Sequence, residues 1–340
     1  MSKANVLSLF SGVGGFDLGL EQAGMTTIYQ CEWDKNASSV LKRHWPDIPK
    51  WGDVSTLTAT EILQHGNKPD IIAWGSPCQD LSIAGKRAGL EGDRSSLFHE
   101  GIRIIKELRK ETNNEYPRVS IWENVAGSIT SNTGADFGVI LNEMAEAGAM
   151  VIEWAVLDAQ YFGVPQRRRR VFVIAIFDPA IARDCPDPIL PVSESLPGDF
   201  EKSEQKKQTA PNETATGFRS NNYAQYTEGV GTLRSNGGDL RGGSETLITE
   251  PMLSFDTKFG SNANVFENQS PTLKASQSAP SVQHDLTIRR MTPLECERLM
   301  GWPDNWTEGQ TNAQRYKQCG NGVASPVAKW IGQKISAIMN

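Results

Sequence analysis

Six blocks along the chain have the residue types and spacing that chemistry requires. Phe10-Ser11-Gly12-Val13-Gly14-Gly15 places glycines between a short apolar run and an amphipathic one. Glycines at a strand-to-helix turn let a ligand approach the backbone closely. The block is not GxGxxG and lacks the Lys of a P-loop. It therefore reads either as a nucleoside cofactor turn or as a structural turn. Glu32-Trp33-Asp34 offers an acid for ribose hydroxyls and an indole that can stack on adenine. Asp53, in Gly52-Asp53-Val54, can accept from an adenine amino group.

The other three blocks carry reactive groups. Gly75-Ser76-Pro77-Cys78-Gln79 follows an apolar run, so Cys78 falls at the carboxyl edge of a sheet. A lone Cys is ordinarily an inert core residue, but the flanking Gly, Ser and Pro argue for a loop. Trp122-Glu123-Asn124-Val125 ends another apolar run. A partly desolvated Glu123 has a raised pKa and can act as an acid, although a single Glu is more often a surface acid. In Gln166-Arg167-Arg168-Arg169-Arg170, strand alternation puts Arg168 and Arg170 on one side and Arg167 and Arg169 on the other. A solvated charge run fits poorly against the apolar segment that follows. Binding of an anion or a polar base edge fits better.

The elements that must position these groups read as follows. Strands are expected at 6–10, 26–32, 70–74, 119–122 and 171–177. Helices are expected at 16–23, with Gly24 as C-cap, and at 95–110, 137–147 and 324–339. Thr292 reads as the N-cap of a further helix, with Pro293 at its first position and Glu295 three residues on. Strands alternating with helices predict a mostly parallel sheet.

Composition shifts along the chain. Residues 179–288 are rich in Pro, Ser, Asn, Gly and Thr, and 191–216 is polar enough for a mobile linker. The 181–288 segment carries 14 acidic and 9 basic residues, while 289–340 carries 7 basic and 4 acidic. The net charge of -6 excludes a protein that coats nucleic acid indiscriminately. It does not exclude a basic groove, because Arg167–Arg170 and Arg289–Arg290 are clustered. A weak repeat is offset by 40 residues: Tyr226 with Gly231-Thr232-Leu233-Arg234, and Phe266 with Pro271-Thr272-Leu273-Lys274. It reads either as coincidence between two turns or as a duplicated hairpin presenting Arg234 and Lys274.

The chain has five cysteines, no CxxC pair and four histidines, which argues against a zinc site or a disulfide framework and for a reducing, cytoplasmic compartment. No signal peptide is expected from the first residues, and the longest apolar run, 171–177, is too short to span a bilayer.

Seven blocks in order resemble those of the DNA (cytosine-5)-methyltransferases of prokaryotic and phage type. They are Phe10-Ser11-Gly12-x-Gly14-Gly15, Glu32-Trp33-Asp34, Pro77-Cys78-Gln79, Glu123-Asn124-Val125, Gln166-x-Arg168-x-Arg170, Arg289-Arg290-Met291-Thr292-Pro293-x-Glu295 and Gln318-x-Gly320-Asn321-x-Val323. The resemblance spans 5–178 and 288–335, and Gly322 departs from the Ser frequent in the last block. It implies an α/β fold: a Rossmann-like S-adenosylmethionine-dependent methyltransferase with a mostly parallel sheet. A smaller, irregular β-rich target-recognition domain is added to it. The implied organisation is 1–178 for catalysis and cofactor, 179–288 for target recognition, and 289–340 returning to the catalytic domain.

By resemblance, Cys78 attacks carbon 6 of a cytosine flipped from duplex DNA, and Glu123 protonates ring N3. Arg168 and Arg170 hold the base, and no metal is needed. S-adenosyl-L-methionine, leaving as S-adenosyl-L-homocysteine, would meet Phe10, Ser11, Gly12, Gly14, Gly15, Glu32, Trp33, Asp53, Val54, Pro77 and Asn321. The C-terminal helix is then expected beside the N-terminal strand. Residues 79–98 resemble the catalytic loop. Gln79, Ser82, Lys86, Arg87 and Arg94 would contact DNA, as would Arg234 and Lys274 in the repeat. Gly85 and Gly89 would let that loop close. The expected protein is monomeric and protects double-stranded DNA from a cognate restriction endonuclease. If the repeat is a true duplication, more than one sequence is recognised.

Three alternatives predict different features. A tRNA cytosine methyltransferase of the same superfamily would not need the long 181–288 region. A nonenzymatic relative would lack Cys78 or Glu123. A nicotinamide-dependent dehydrogenase would carry GxGxxG and no Pro77-Cys78.

Overall fold

A computed structural model describes residues 3–77, 96–186, 188–190, 270 and 291–339, together with the backbone of short strands between 217 and 290. Its centre is a seven-stranded sheet of order β3-β2-β1-β4-β5-β7-β6. The strands are β1 (Asn5–Leu9), β2 (Thr26–Cys31), β3 (Lys50–Trp51), β4 (Ile71–Trp74), β5 (Val119–Val125), β6 (Val151–Asp158) and β7 (Arg169–Ile176). Strands β1 to β5 are parallel, and β7 runs antiparallel to both its neighbours, β5 and β6.

Period-two alternation sends successive side chains to two cores, one on each face. Val6, Ala73, Ile121 and Phe172 point to one face, and Leu7, Trp74, Trp122 and Val173 to the other. The first face is covered by α1 (Gly15–Gln22), α2 (Lys35–His44) and α9 (Ser325–Met339). The second is covered by α3 (Ala59–Leu63), α4 (Ser96–Glu111) and α5 (Ala135–Glu146). Helix α4 buries Phe98, Ile102, Ile105 and Leu108, the helical spacing that its sequence predicts.

Helix α9 packs on α1, the helix that follows the N-terminal strand, and shares a buried cluster with Val6 of that strand. Small residues bring the two helices together. A Cβ at Gly15 would sit 2.4 Å from the Val323 carbonyl oxygen, and one at Gly19 2.4 Å from that of Ser325. Helix α1 ends in a Schellman turn: Met25 N–H donates to Leu20 O and Gly24 N–H to Glu21 O, with Gly24 at φ 95°. Gly24 thus stands one residue beyond the cap, which is Ala23.

The remaining helices are α6 (Pro179–Asp184), α7 (Pro293–Leu299) and α8 (Asn312–Asn321). Helix α7 starts in the capping box expected of it, Thr292 with Glu295. Between α6 and α7 lie two small antiparallel sheets. Strands β8 (Gly217–Ser220), β9 (Tyr226–Glu228) and β10 (Thr246–Ile248) form one, in the order β10-β8-β9. Strands β11 (Leu253–Phe255), β12 (Val265–Glu267), β13 (Ser281–His284) and β14 (Thr287–Arg290) form the other, in the order β12-β11-β13-β14. The aromatic starts of the two repeat copies fall on edge strands of different sheets, Tyr226 on β9 and Phe266 on β12. The Thr-Leu-basic triplets, with Arg234 and Lys274, lie outside the described residues.

Candidate active site

Chain order reverses between β1 and β4, so their carboxyl ends part and leave a crevice, where open α/β sheets bind ligands. A cavity of about 780 Å3 fills it. Its walls come from the turn after β1, the ends of β2, β3, β4 and β5, Arg170 of β7 and the end of α8.

One half of the cavity is organised by Glu32. Its Oε2 accepts from Gly12 N–H and its Oε1 from Asp34 N–H, both at 2.7 Å. This carboxylate ties the glycine turn to the end of β2. Burial raises its pKa, opposed by those two backbone hydrogen bonds. Phe10 and Gly12 both adopt positive φ (54° and 57°), and no atom lies within 4 Å of a Cβ built on Gly12. Beside them the Trp33 indole is 75% exposed on the cavity wall. Asp53 caps the short turn from Val54 by accepting from Ser55 N–H at 2.9 Å. An aromatic plate, two acids and a bare backbone fit a nucleoside with an attached amino acid.

The other half is organised around Glu123, which is 8% exposed. Burial raises its pKa, against the pull of Arg170 and Arg168. Arg170 Nε is 3.1 Å from Glu123 Oε1. A Cβ at Gly75 would lie 3.2 Å from Glu123 Oε2, so a side chain at the end of β4 would require the Glu123 carboxyl to give way by a few tenths of an ångström. Ser76 is clamped twice from β5. Trp122 Nε1 donates to its Oγ at 3.2 Å, and Asn124 Nδ2 donates to its carbonyl at 3.0 Å. These bonds fix the backbone one residue before Pro77, which lines the cavity.

The structure separates residues that the sequence grouped together. Phe10, Gly12, Glu32, Trp33, Asp53, Val54, Pro77, Glu123, Arg170 and Asn321 all line the cavity. Ser11, Gly14 and Gly15 do not. Ser11 Oγ donates to the Ser8 carbonyl at 3.0 Å, Gly14 packs on Trp45, and Gly15 packs on Val323. Arg168 does not line the cavity either. It is 2% exposed, and its Nη2 donates to the carbonyls of Gly320 at 2.9 Å and Gly322 at 2.6 Å. Arg168 therefore holds the residues on either side of Asn321 rather than pointing at a base. Cys78, Gln79, Ser82, Lys86, Arg87 and Arg94 lie outside the described residues.

Lys317 is a cavity residue that the sequence did not reveal. It reaches from α8 to Asp34 at 3.0 Å, and Asp34 caps α2. Helix α8 is too polar to show an apolar stripe, and only the Gln318-x-Gly320-Asn321 block marked its end.

Residues 4–337 match the family described as C-5 cytosine-specific DNA methylase. The chain belongs to this family. It is 29% identical to the Type II methyltransferase M.HpaII of Haemophilus parainfluenzae over 349 residues, covering 98% of this chain and 89% of that protein. It is 31% identical to the Type II methyltransferase M2.BsuMI of Bacillus subtilis over 340 residues, covering 97% and 75%. Among solved structures, a putative DNA modification methyltransferase encoded within an Escherichia coli prophage superposes with a TM-score of 0.66 at 22% identity, covering 99% of this chain and all of that one. The protein is accordingly a DNA cytosine-5 methyltransferase.

Proposed function

We propose that this methyltransferase acts through a covalent adduct between Cys78 and a cytosine flipped out of a specific duplex sequence, with S-adenosyl-L-methionine as methyl donor. The observation that carries the reading is a buried carboxyl, Glu123, at the floor of a cavity whose other half suits a nucleoside cofactor. When bound, that cofactor supplies an electrophilic methyl group. Trp33 would stack on its adenine, Asp53 would accept from the adenine amino group, Glu32 would meet the ribose, and the Gly12 backbone and Asn321 would receive the amino-acid end.

The Cys78 thiolate forms a bond to carbon 6 while Glu123 gives its proton to ring N3, which makes carbon 5 nucleophilic. Carbon 5 takes the methyl group. A base then removes the carbon 5 proton, the bond to Cys78 breaks, and the ring N3 proton returns to Glu123. Arg170, not Arg168, stands at the cavity to hold the base. The other thiols support Cys78 as the nucleophile. Burial pushes Cys31 and Cys296 up to about 12 and Cys319 well above its ordinary value, and Cys185 does not line the cavity.

Protection of cytoplasmic DNA against a cognate restriction endonuclease is the role that the two Type II relatives suggest. The segment 179–288 serves target recognition, and Lys86, Arg87, Arg94, Arg234 and Lys274 contact DNA. Among the described residues no helix is long and apolar enough to cross a membrane. Labelled methyl transfer to duplex DNA and to tRNA tests the substrate, with bisulfite sequencing of DNA from an expressing host to read the sequence context. A Cys78→Ser variant that still methylated DNA would overturn the covalent route.

A further inference from the structure

We propose that Ser270 is a positioning residue that couples the target-recognition segment to the strand carrying the base-site arginine. Ser270 is 2% exposed and forms a one-residue parallel bridge opposite Gln166. Its N–H donates to the Pro165 carbonyl at 2.6 Å, and its carbonyl accepts from Arg167 N–H at 2.9 Å. The recognition segment thus adds a point of strand pairing to the residues that lead into β7.

The run Pro165–Arg170 ties three parts of the molecule together. Ser270 holds it from the recognition segment. The buried Gln166 donates from Nε2 to the Leu299 carbonyl at 2.8 Å, and Arg168 holds the carbonyls of Gly320 and Gly322, so the C-terminal segment is fixed to the same run. Arg170 reaches Glu123 in the cavity. Ser270 Oγ also lies 3.8 Å from Met291 Sδ, and the Met291 carbonyl accepts from Tyr316 of α8 at 2.7 Å. Backbone hydrogen bonds on both sides of one residue fix its position along the partner strand, so a displacement of Ser270 is transmitted to the lead-in of β7.

Connectivity gives this anchor its consequence. Pro271-Thr272-Leu273-Lys274, the Thr-Leu-basic block of the second repeat copy, begins at the next residue. At no more than about 3.5 Å per residue, Lys274 stays within about 14 Å of Ser270. The Thr-Leu-basic block of the second copy is therefore tethered to the strand that holds the base, and target contact is coupled to base capture through Ser270.

The inference rests on the DNA-methylating reading above and is tested on the full chain, with the recognition sequence of the unsubstituted enzyme first read by sequencing. Three variants are compared: Ser270→Pro, which removes the N–H; Ser270→Ala, which keeps both backbone bonds; and two glycines inserted between Ser270 and Pro271, which keeps the anchor and slackens the tether. Measured quantities are the methylation ratio of cognate to single-mismatch duplexes, KM for each substrate, and Tm. Ser270→Pro and the insertion are expected to lower the cognate ratio and raise KM for DNA at least tenfold, with KM for S-adenosylmethionine within twofold. Ser270→Ala is expected to match the unsubstituted enzyme. Should Ser270→Pro fail to fold, the insertion decides. An insertion variant with full selectivity, or Ser270→Ala as impaired as the insertion, overturns the proposal. An unsubstituted enzyme inactive on every duplex would fail the functional reading instead.

Discussion

Arg170 and Glu123 meet at 3.1 Å as a diagonal pair across the antiparallel strands β5 and β7. In the register, Glu123 faces Phe172 and Val125 faces Arg170, so both side chains stand on the same sheet face. Reversal of β7 relative to β5 brings the cation to the acid. Without it, the end of the arginine run would lie far from the carboxyl ends of β1 and β4.

That pair sets a pH dependence. Glu123 must carry a proton to act as an acid, so kcat falls as pH rises through its folded pKa. Arg170 favours the carboxylate, and Arg170→Ala leaves burial less opposed. The expected result is a lower maximal rate and an alkaline limb displaced to higher pH, read from kcat between pH 6 and 9. Glu123→Gln keeps the shape without the proton and is expected to lose about 10²- to 10⁴-fold in methyl transfer, with Tm held.

Arg168 is expected to act through structure. Arg168→Ala leaves the carbonyls of Gly320 and Gly322 without this donor, at a cost of about 1–3 kcal/mol for each acceptor left unsatisfied. Because Asn321 lies between them, KM for S-adenosylmethionine should rise along with a fall in Tm. Thermal melts and initial rates on one preparation check both.

Trp33 is expected to behave oppositely. At 75% exposure it contributes little to the core, so Trp33→Ala should leave Tm unchanged. Loss of an aromatic stacking partner, worth about 1–3 kcal/mol, should raise the Kd for the cofactor about 5- to 150-fold. Calorimetric titration of the variant reads it directly.

Asp17 gives a stability prediction away from the chemistry. It is fully buried in α1, accepting from Ser8 Oγ at 3.0 Å and Gln30 Nε2 at 2.9 Å, and burial raises its pKa from 3.8 to about 6. A raised folded pKa gives stability that is complete below 3.8 and lost as pH rises through 6, of order 3 kcal/mol. Asp17→Asn can keep both contacts without ionising. Its Tm, relative to the unsubstituted protein, should climb between pH 4.5 and 7.5. A difference that stayed flat across that range would rule the account out.

Much of this architecture is legible in local sequence because it obeys local rules. Ile71–Trp74 and Val171–Phe177 are continuous apolar runs, and Val6, Leu7 and Leu9 form one broken only by the buried Ser8, as befits strands buried on both faces. Thr292, Pro293 and Glu295 announce a helix start whatever surrounds them. Helix α2, strand β6 and helix α8 are less legible. Strand β6 has half-buried residues on both sides of an exposed Trp154, and α8 presents polar groups to the cavity, so neither shows a clear apolar period. The block Gln166–Arg170 shows both limits. Alternation alone put Arg168 and Arg170 on one face and Arg167 and Arg169 on the other. Only the packing of α8 against the lead-in of β7 decided that Arg168 is spent on the carbonyls of Gly320 and Gly322 while Arg170 reaches Glu123. A side chain's face is set by the backbone period, but its partner is set by segments remote in the chain.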